Sequence, residues 1–225
     1  MPPRPPFPLG IVADRRAVLT GGVLALAALA GAAPAYAWNS TDVGGALPAL
    51  DFTMTRASDG KTVTAADYKG KIVLLEFGYT FCPDVCPTTL LNLSTMLKSL
   101  GKDADAVRVL FVTVDPGRDS LAVLKDYTEA FGPQVVGLRG TPDQIATLAK
   151  RYRVSYSVTP AANGHPYEVT HGAAVYVFDR VGDARLLFSG LALAKADTTP
   201  QLSDLRALIA QSGGGGWWRR MLGLL

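Results

Sequence analysis

The stretch Phe77-Gly-Tyr-Thr-Phe-Cys82-Pro-Asp-Val-Cys86-Pro87 decides the fold, because it joins a segment of strand character to a segment of helix character. It contains the only two cysteines of the chain, with three residues between them. Two thiols this close in sequence predict a disulfide, a redox pair or two ligands of one metal ion.

The segments on either side of the cysteines predict a β-strand followed by an α-helix. Lys71–Gly78 is apolar and rich in β-branched and aromatic residues. In Pro87–Leu100 the leucines recur with a helical period. We expect Pro87 at the first helical position, with Cys86 at the cap and Cys82 one turn earlier. The backbone N–H groups and the positive end of the helix dipole would there favour thiolate at both sulfurs.

Length and composition predict one sizeable domain with an export signal. The chain has 225 residues, 48% of them hydrophobic, and a net charge of +3. Arg4, Arg15 and Arg16, less Asp14, contribute +2 of that charge within the first 37 residues. The remainder is therefore close to neutral, and we expect no nucleic-acid partner.

Residues 1–37 are interpreted as a signal peptide. Arg15-Arg16 precedes a mild apolar stretch, and Ala35-Tyr-Ala37 fits an A-x-A cleavage site. The paired arginines and the Gly/Ala-rich stretch resemble a twin-arginine signal; an ordinary secretory signal and an uncleaved membrane tether are the alternatives. Each of the three places the domain in the periplasm or on the outer face of a bacterial inner membrane, an oxidising compartment.

The remaining pattern predicts one α/β domain over residues 47–211. A polar linker (38–46) is expected before it. A Gly-rich flexible tail (212–225) is expected after it, and the Trp, Arg and Leu residues at the end of that tail suit a peripheral membrane contact. The predicted elements are an N-terminal hairpin (Asp51–Thr64), the strand–Cys–helix unit, a second long strand (Ala106–Asp115), helices from Ser120 and Thr141, a hairpin (Ala173–Phe188) and a closing helix (Pro200–Gln211). This order is that of a thioredoxin-like fold: a central mixed sheet flanked by helices, here with an N-terminal β-hairpin extension.

That fold brings three separate segments to one edge of the sheet. Its first hairpin strand lies antiparallel beside the cysteine-bearing strand, so His171 should start that strand next to the cysteine loop. Asp115, at the end of the parallel neighbour, should reach the same edge. The other histidine, His165, lies in a Gly/Pro-rich loop and is expected to be exposed.

The two cysteines and their surroundings are compatible with three kinds of site: a structural disulfide, a redox-active thiol pair and a metal site. A structural disulfide across so short a loop would stabilise the fold by only about 2 kcal/mol. Thiol–disulfide exchange is feasible with Cys82 as the attacking thiol, and Thr80-x-Cys82 resembles a peroxidatic setting without a second peroxidase signature. A metal site built from Cys82, Cys86 and His171 would suit copper in either oxidation state, and zinc less well because it would have only three protein ligands.

Three motifs resemble the Sco/SenC copper-binding proteins: Gly78–Pro87, Val114–Asp119 and Val169–Gly172, within a match over about Leu47–Gln211. The resemblance implies a thioredoxin-like, exported or membrane-associated metallochaperone. It implies delivery of copper to the CuA centre of cytochrome c oxidase, so the partner would be the oxidase subunit bearing that centre. Other periplasmic copper carriers and thiol reductants are further candidate partners, and enzymatic reduction of thiols stays open as an additional role.

The resemblance also assigns site residues. Cys82, Cys86 and His171 match the copper ligands of the family, and Asp115 matches a family acid near the site. Asp115 alternatively caps the strand exit or the following helix. Asp84 is a candidate for tuning the thiols, or else a solvated turn residue. The chain departs from the family pattern at Gly172, where serine is frequent, and in its cleavable signal, where most members have an N-terminal anchor.

Overall fold

The computed structural model of the chain describes Met1, residues 36–159, Ala161 and residues 167–211. The predicted tail, His165 and nearly all of the predicted signal peptide lie outside the described residues. No helix in the described part of the chain combines the length and apolar character needed to cross a membrane.

The described elements are ten strands and four α-helices, with two short 3₁₀ turns at Ala65–Tyr68 and Gly101–Ala106. The strands are β1 (Thr41–Asp42), β2 (Thr53–Arg56), β3 (Thr62–Thr64), β4 (Ile72–Gly78), β5 (Val107–Thr113), β6 (Val135–Arg139), β7 (Tyr156–Thr159), β8 (Glu168–His171), β9 (Val175–Phe178) and β10 (Ala184–Phe188). The helices are α1 (Val85–Leu100), α2 (Leu121–Glu129), α3 (Pro142–Arg151) and α4 (Thr199–Ala210).

Eight of these strands form one mixed sheet in the order β1-β10-β9-β4-β5-β6-β2-β3. The central strand β4 is parallel to β5 and antiparallel to β9, as the sequence predicts. Every residue of β4 is buried, which explains why its sequence is apolar except at Glu76. The mixed sheet and its helices confirm the predicted thioredoxin-like fold.

The predicted N-terminal hairpin is confirmed and extends the main sheet. Strands β2 and β3 pair antiparallel, with Met54 opposite Val63, and β2 also pairs with β6. The two strands β7 and β8 form a separate antiparallel sheet, in which Tyr156 lies opposite His171. The hairpin that bears His171 is therefore not held by the register of the main sheet.

The start of α1 differs from the prediction. The helix begins at Val85, with Asp84 as the residue before it, so Cys86 is the second helical residue and Pro87 the third. The predicted cap at Cys86 is therefore wrong. The first four N–H groups of a helix have no intrahelical acceptor, so proline is tolerated at the third position as well as at the first.

The segment expected as a linker, residues 38–46, also differs from the expectation. It contains β1, which pairs with β10 at one edge of the sheet. The buried carboxylate of Asp204 on α4 accepts hydrogen bonds from Asn39 N (3.1 Å), Asn39 Nδ2 (2.9 Å) and Ser40 N (2.8 Å). Composition cannot reveal this attachment, because its acceptor lies on the last helix.

We predict that Asp204→Ala releases residues 39–42 from the domain. Loss of a buried acceptor that serves three donors should lower the free energy of unfolding by about 1–3 kcal/mol. Faster amide hydrogen exchange at Asn39 and Ser40 would show the release of the segment. Denaturant unfolding would measure the loss in the free energy of unfolding. Asp126→Ala on α2, where the aspartate is exposed, is the control. Unchanged exchange at these amides would contradict the prediction.

Candidate metal centre

The structure brings the three predicted ligand residues together. Cys82, Cys86 and His171 each offer one ligand atom, and these three atoms all lie within 4.8 Å of one another. The closest pair is Cys86 Sγ and His171 Nε2, at 2.9 Å. Both cysteines are free thiols in this structure. Within the described ranges this is the one cluster of three or more such side chains that could hold a metal ion.

The two cysteines occupy different environments. Cys82 lies in the loop between β4 and α1 and is partly exposed, whereas Cys86 lies in the first turn of α1 and is completely buried. The backbone N–H of Cys86 donates to Cys82 Sγ at 3.4 Å, which fixes the two sulfurs on the same side of the loop. Solvent can therefore reach the site on the Cys82 side but not on the Cys86 side.

Gly78, the last residue of β4, makes room for the buried sulfur. A Cβ atom at this position would lie 2.8 Å from Cys86 Sγ and 2.5 Å from the ring of Phe111. These distances are too short for any side chain, so the absence of a Cβ permits the close approach of sulfur and ring to the strand.

His171 reaches the site by a route that differs from the prediction. It is the last residue of β8, whereas the strand beside β4 begins at Val175, so His171 does not start that strand. Its Nδ1 lies 2.9 Å from the carbonyl oxygen of Gly172, which can only accept a hydrogen bond. We therefore assign the ring proton to Nδ1, and the lone pair of Nε2 points at Cys86. The ring also packs edge-on against Tyr79, with centroids 5.7 Å apart.

Burial controls the protonation of the two groups in contact. It raises the pKa of the Cys86 thiol, and the nearby Glu76 carboxyl adds to this effect. It lowers the pKa of His171, against a smaller opposing effect of the Gly172 hydrogen bond. A neutral thiol that donates to a neutral imidazole is therefore favoured. The expected thiolate at Cys86 is wrong for the protein by itself, because burial outweighs the helix dipole.

Glu76, which the sequence motifs do not include, lies on β4 two residues before Gly78. Its side chain is 2% exposed, and Oε2 has no hydrogen-bond partner among the described residues. Burial raises the pKa of this carboxyl well above its usual range, and negative charge at Cys82 adds to the shift. The hydroxyl of Tyr127 is likewise buried without a partner among these residues. The sequence does carry one sign of this buried polar region, because Glu76 is the only charged residue in the apolar strand β4.

Asp119 is a second residue whose role was missed. It is buried and accepts hydrogen bonds from Thr80 N (3.0 Å), Thr80 Oγ1 (2.6 Å) and Thr113 Oγ1 (2.5 Å). Ser120 caps α2, by accepting from the N–H of Val123. Asp119 therefore ties the cysteine loop to the end of β5 instead of capping the helix.

The two remaining predicted acids lie outside the ligand cluster. Asp115 is 1% exposed, forms an ion pair with Arg118 Nε at 2.5 Å and accepts a hydrogen bond from Tyr167 at 2.7 Å. Asp84 is exposed before α1, where it accepts from the Thr88 hydroxyl at 3.3 Å. A role for Asp84 in tuning the thiols stays a prediction.

Fold and site together define a thioredoxin-like protein with a candidate metal centre of two thiols and one imidazole. The chain belongs to the SCO1/SenC family, whose model matches residues 44–207. This match confirms the resemblance carried by the three sequence motifs.

Solved structures similar to this chain include relatives with copper bound. ScoI of Bradyrhizobium japonicum, solved with copper bound, is 39% identical and has a TM-score of 0.62; the match covers 71% of this chain and 98% of that chain. Yeast Sco1 with copper bound is 30% identical and has a TM-score of 0.66, with 77% and 94% covered. A mitochondrial SCO2 homolog of Bos taurus is 39% identical over 147 residues, which are 64% of this chain and 53% of the relative. The chain thus spans about half the length of the curated relatives it matches.

We predict that Gly78→Ala lowers the free energy of unfolding by about 1–3 kcal/mol, the usual effect of overpacking a core. Either the Cys86 thiol or the Phe111 ring must move to admit the new methyl group. Gly117→Ala is the matched control, because a Cβ there would be in ordinary contact, 3.7 Å from Asp115 Oδ1. Denaturant unfolding of both variants measures the difference, and equal stabilities would refute the close packing described here.

We predict that Glu76→Gln makes the protein more stable at neutral pH. The raised pKa means that the folded state keeps a proton that the unfolded chain loses above about pH 4.3. The free energy of unfolding of the wild type therefore falls as the pH rises from the unfolded-state pKa towards the folded-state pKa of Glu76. The fall is up to about 1.4 kcal/mol per pH unit.

The measurement is the unfolding free energy of reduced, metal-free protein between pH 5 and 7.5. The stability of Glu76→Gln relative to wild type should grow with pH, and the His171 contribution cancels in this comparison. Asp126→Asn, at an exposed position, is the control. Parallel pH curves for wild type and Glu76→Gln would count against a raised pKa at Glu76.

Proposed function

We propose that the protein is a copper-binding metallochaperone that holds copper through the Sγ atoms of Cys82 and Cys86 and the Nε2 atom of His171. The observation that carries this proposal is the convergence of these three donors within 4.8 Å. Two soft thiolates and an imidazole suit copper. Structural zinc sites use four protein ligands, and the described cluster offers three.

Copper uptake must release the thiol protons, so the affinity should increase with pH. Burial opposes a bare thiolate at Cys86, because it raises the pKa of that thiol. A bound cation would compensate the charge and stabilise the thiolate. Cys86 is therefore suited to become anionic only with metal present. His171 already directs its Nε2 lone pair at the site.

Transfer of copper would take place on the Cys82 side. Cys82 is partly exposed, and the neighbouring Phe81 is 57% exposed, so ligands of a recipient could approach there. From the family resemblance we propose the CuA-bearing subunit of cytochrome c oxidase as recipient, with periplasmic copper carriers or thiol reductants as further partners. We propose a periplasmic or outer-face location, reached through the signal at residues 1–37.

A thiol–disulfide oxidoreductase that acts through Cys82 and Cys86 is the second candidate. It is favoured by two free thiols one helical turn apart, of which Cys82 is accessible. Cys82 would attack a substrate disulfide and Cys86 would resolve the mixed disulfide. The peroxidase variant of this idea has less support, because the Thr80 hydroxyl donates to Asp119.

We predict one copper ion per chain in the reduced protein, with a thiolate-to-Cu(II) charge-transfer band when copper is supplied as Cu(II). Cys82→Ser, Cys86→Ser and His171→Ala should each weaken binding by more than the 10–100-fold typical of outer-shell partners. His165→Ala, which removes the only other histidine of the chain, is the matched control and should bind as wild type.

Thiol exchange with a protein disulfide is the discriminating measurement. Rapid turnover by metal-free wild type and by His171→Ala, without tight copper binding, would replace the metallochaperone with the oxidoreductase. Tight copper binding that survives in His171→Ala would disprove the three-ligand site.

A further inference from the structure

The hairpin that carries His171 is held to the site by side chains. Strands β7 and β8 pair with each other and not with the main sheet. The hydroxyl of Tyr79, in the cysteine loop, donates to Val169 O on β8 at 3.2 Å. The hydroxyl of Tyr167, just before β8, donates to Asp115 Oδ1 at 2.7 Å. The position of the His171 ring therefore depends on these contacts and on the packing of Val169 in the core, and not on strand pairing with the main sheet.

Arg118 connects the same hairpin to the cysteine loop. Its guanidinium carbon lies 4.0 Å from the ring centroid of Tyr167, 4.9 Å from that of Phe81 and 5.7 Å from that of Tyr79. Its Nε atom pairs with Asp115 Oδ2. A cation over aromatic faces attracts each ring, so one guanidinium holds residues of both segments in place.

Asp115 is the centre of this arrangement. It is buried, and its two oxygens have different partners: Oδ1 accepts from Tyr167 and Oδ2 pairs with Arg118. A buried carboxylate needs such partners, so the hairpin and the arginine are both fixed by the same side chain. Tyr167 lies four residues before His171 on the path into β8.

We infer that Asp115, Arg118 and Tyr167 form a latch that positions His171 over the two thiols and thereby sets whether copper is held by three donors or by two. The inference rests on the proposed copper function. The three latch residues are positioning residues, because their side chains are not part of the ligand cluster. When only the Tyr167–Asp115 hydrogen bond is removed, the contacts of Arg118 with the cysteine loop remain, so the two sulfurs keep their places and the imidazole loses its fixed position.

Tyr167→Phe is the sharpest test, because it removes one hydroxyl and leaves the Asp115–Arg118 ion pair intact. Tyr156→Phe is the matched control: it makes the same change in the same hairpin, and the Tyr156 hydroxyl makes no hydrogen bond in the described part of the chain. Copper(I) affinity is measured by competition with a colorimetric copper(I) chelator, for each variant in the wild-type and in the His171→Ala background.

We predict that Tyr167→Phe weakens copper(I) binding about tenfold, at the lower end of the range for outer-shell partners of metal ligands. Tyr156→Phe should stay within about twofold of wild type, as expected away from such features. In the His171→Ala background Tyr167→Phe should add no further loss, because the latch acts through the imidazole. An equal loss in both backgrounds, or no loss in either, would overturn the inference.

A second readout needs no copper. The ring protons of His171 should have NMR shifts displaced by the edge-on Tyr79 ring, and Tyr167→Phe should move them towards those of a solvent-exposed histidine. Tyr156→Phe should leave them unchanged. If wild type binds no copper, the proposed function fails, while these shifts still test the latch. Unchanged His171 shifts in Tyr167→Phe would refute it.

Discussion

The close approach of the Cys86 sulfur to the end of β4 is the constraint on which the site depends. The sulfur lies only 2.8 Å from where a Cβ of Gly78 would be, and the ring of Phe111 lies 2.5 Å from the same point. Because cores are close-packed, this arrangement fixes the start of α1 against the sheet. Cys82, one helical turn earlier, is then held at the surface of the same loop, and Asp119 ties that loop to the end of β5.

Burial at this point also sets the chemistry. It favours a neutral Cys86 thiol and a neutral His171 ring, so the pair shares one S–H···N contact instead of an ion pair. Two protons and no net charge suit a pocket beside the buried carboxyl of Glu76. A copper ion would displace the thiol protons of Cys82 and Cys86, while the Nδ1 proton of His171 stays hydrogen-bonded to the Gly172 carbonyl oxygen. The low-dielectric surroundings would strengthen the hold of the ion on both thiolates. Cys86 and His171 therefore carry no charge without metal, and Cys86 would become a thiolate only where a cation binds it.

The third donor is controlled separately from the two sulfurs. Cys82 and Cys86 are held by the central strand and by α1, whereas His171 is carried by a hairpin outside the main sheet. Asp115 and Arg118, which follow β5, are the groups that bind this hairpin through Tyr167. The candidate ligands are thus divided between the strand–helix unit of the main sheet and a hairpin held by the packing of Val169 and by a few polar and cation–π contacts. This division would let a carrier change the number of ligands without any rearrangement of its core.

The sequence by itself determined the βαβ unit around the cysteines, because hydrophobic period is a local signal. The pairing of β4 with β9 followed from the element order of the thioredoxin-like fold, and the three motifs that carry the family resemblance gave the candidate ligands. The sequence did not reveal the true start of α1, the strand that carries His171, the attachment of residues 39–42 or the buried partners Glu76 and Asp119. The start of α1 differs from the prediction because proline is tolerated at the third helical position as well as at the first. The other features depend on which distant side chains share a buried volume; the acceptor for Asn39, for example, lies on α4. Only the tertiary structure decided that Asp115 contacts Tyr167 and Arg118 and not the metal ligands, because burial and hydrogen-bond partners are properties of the packed chain.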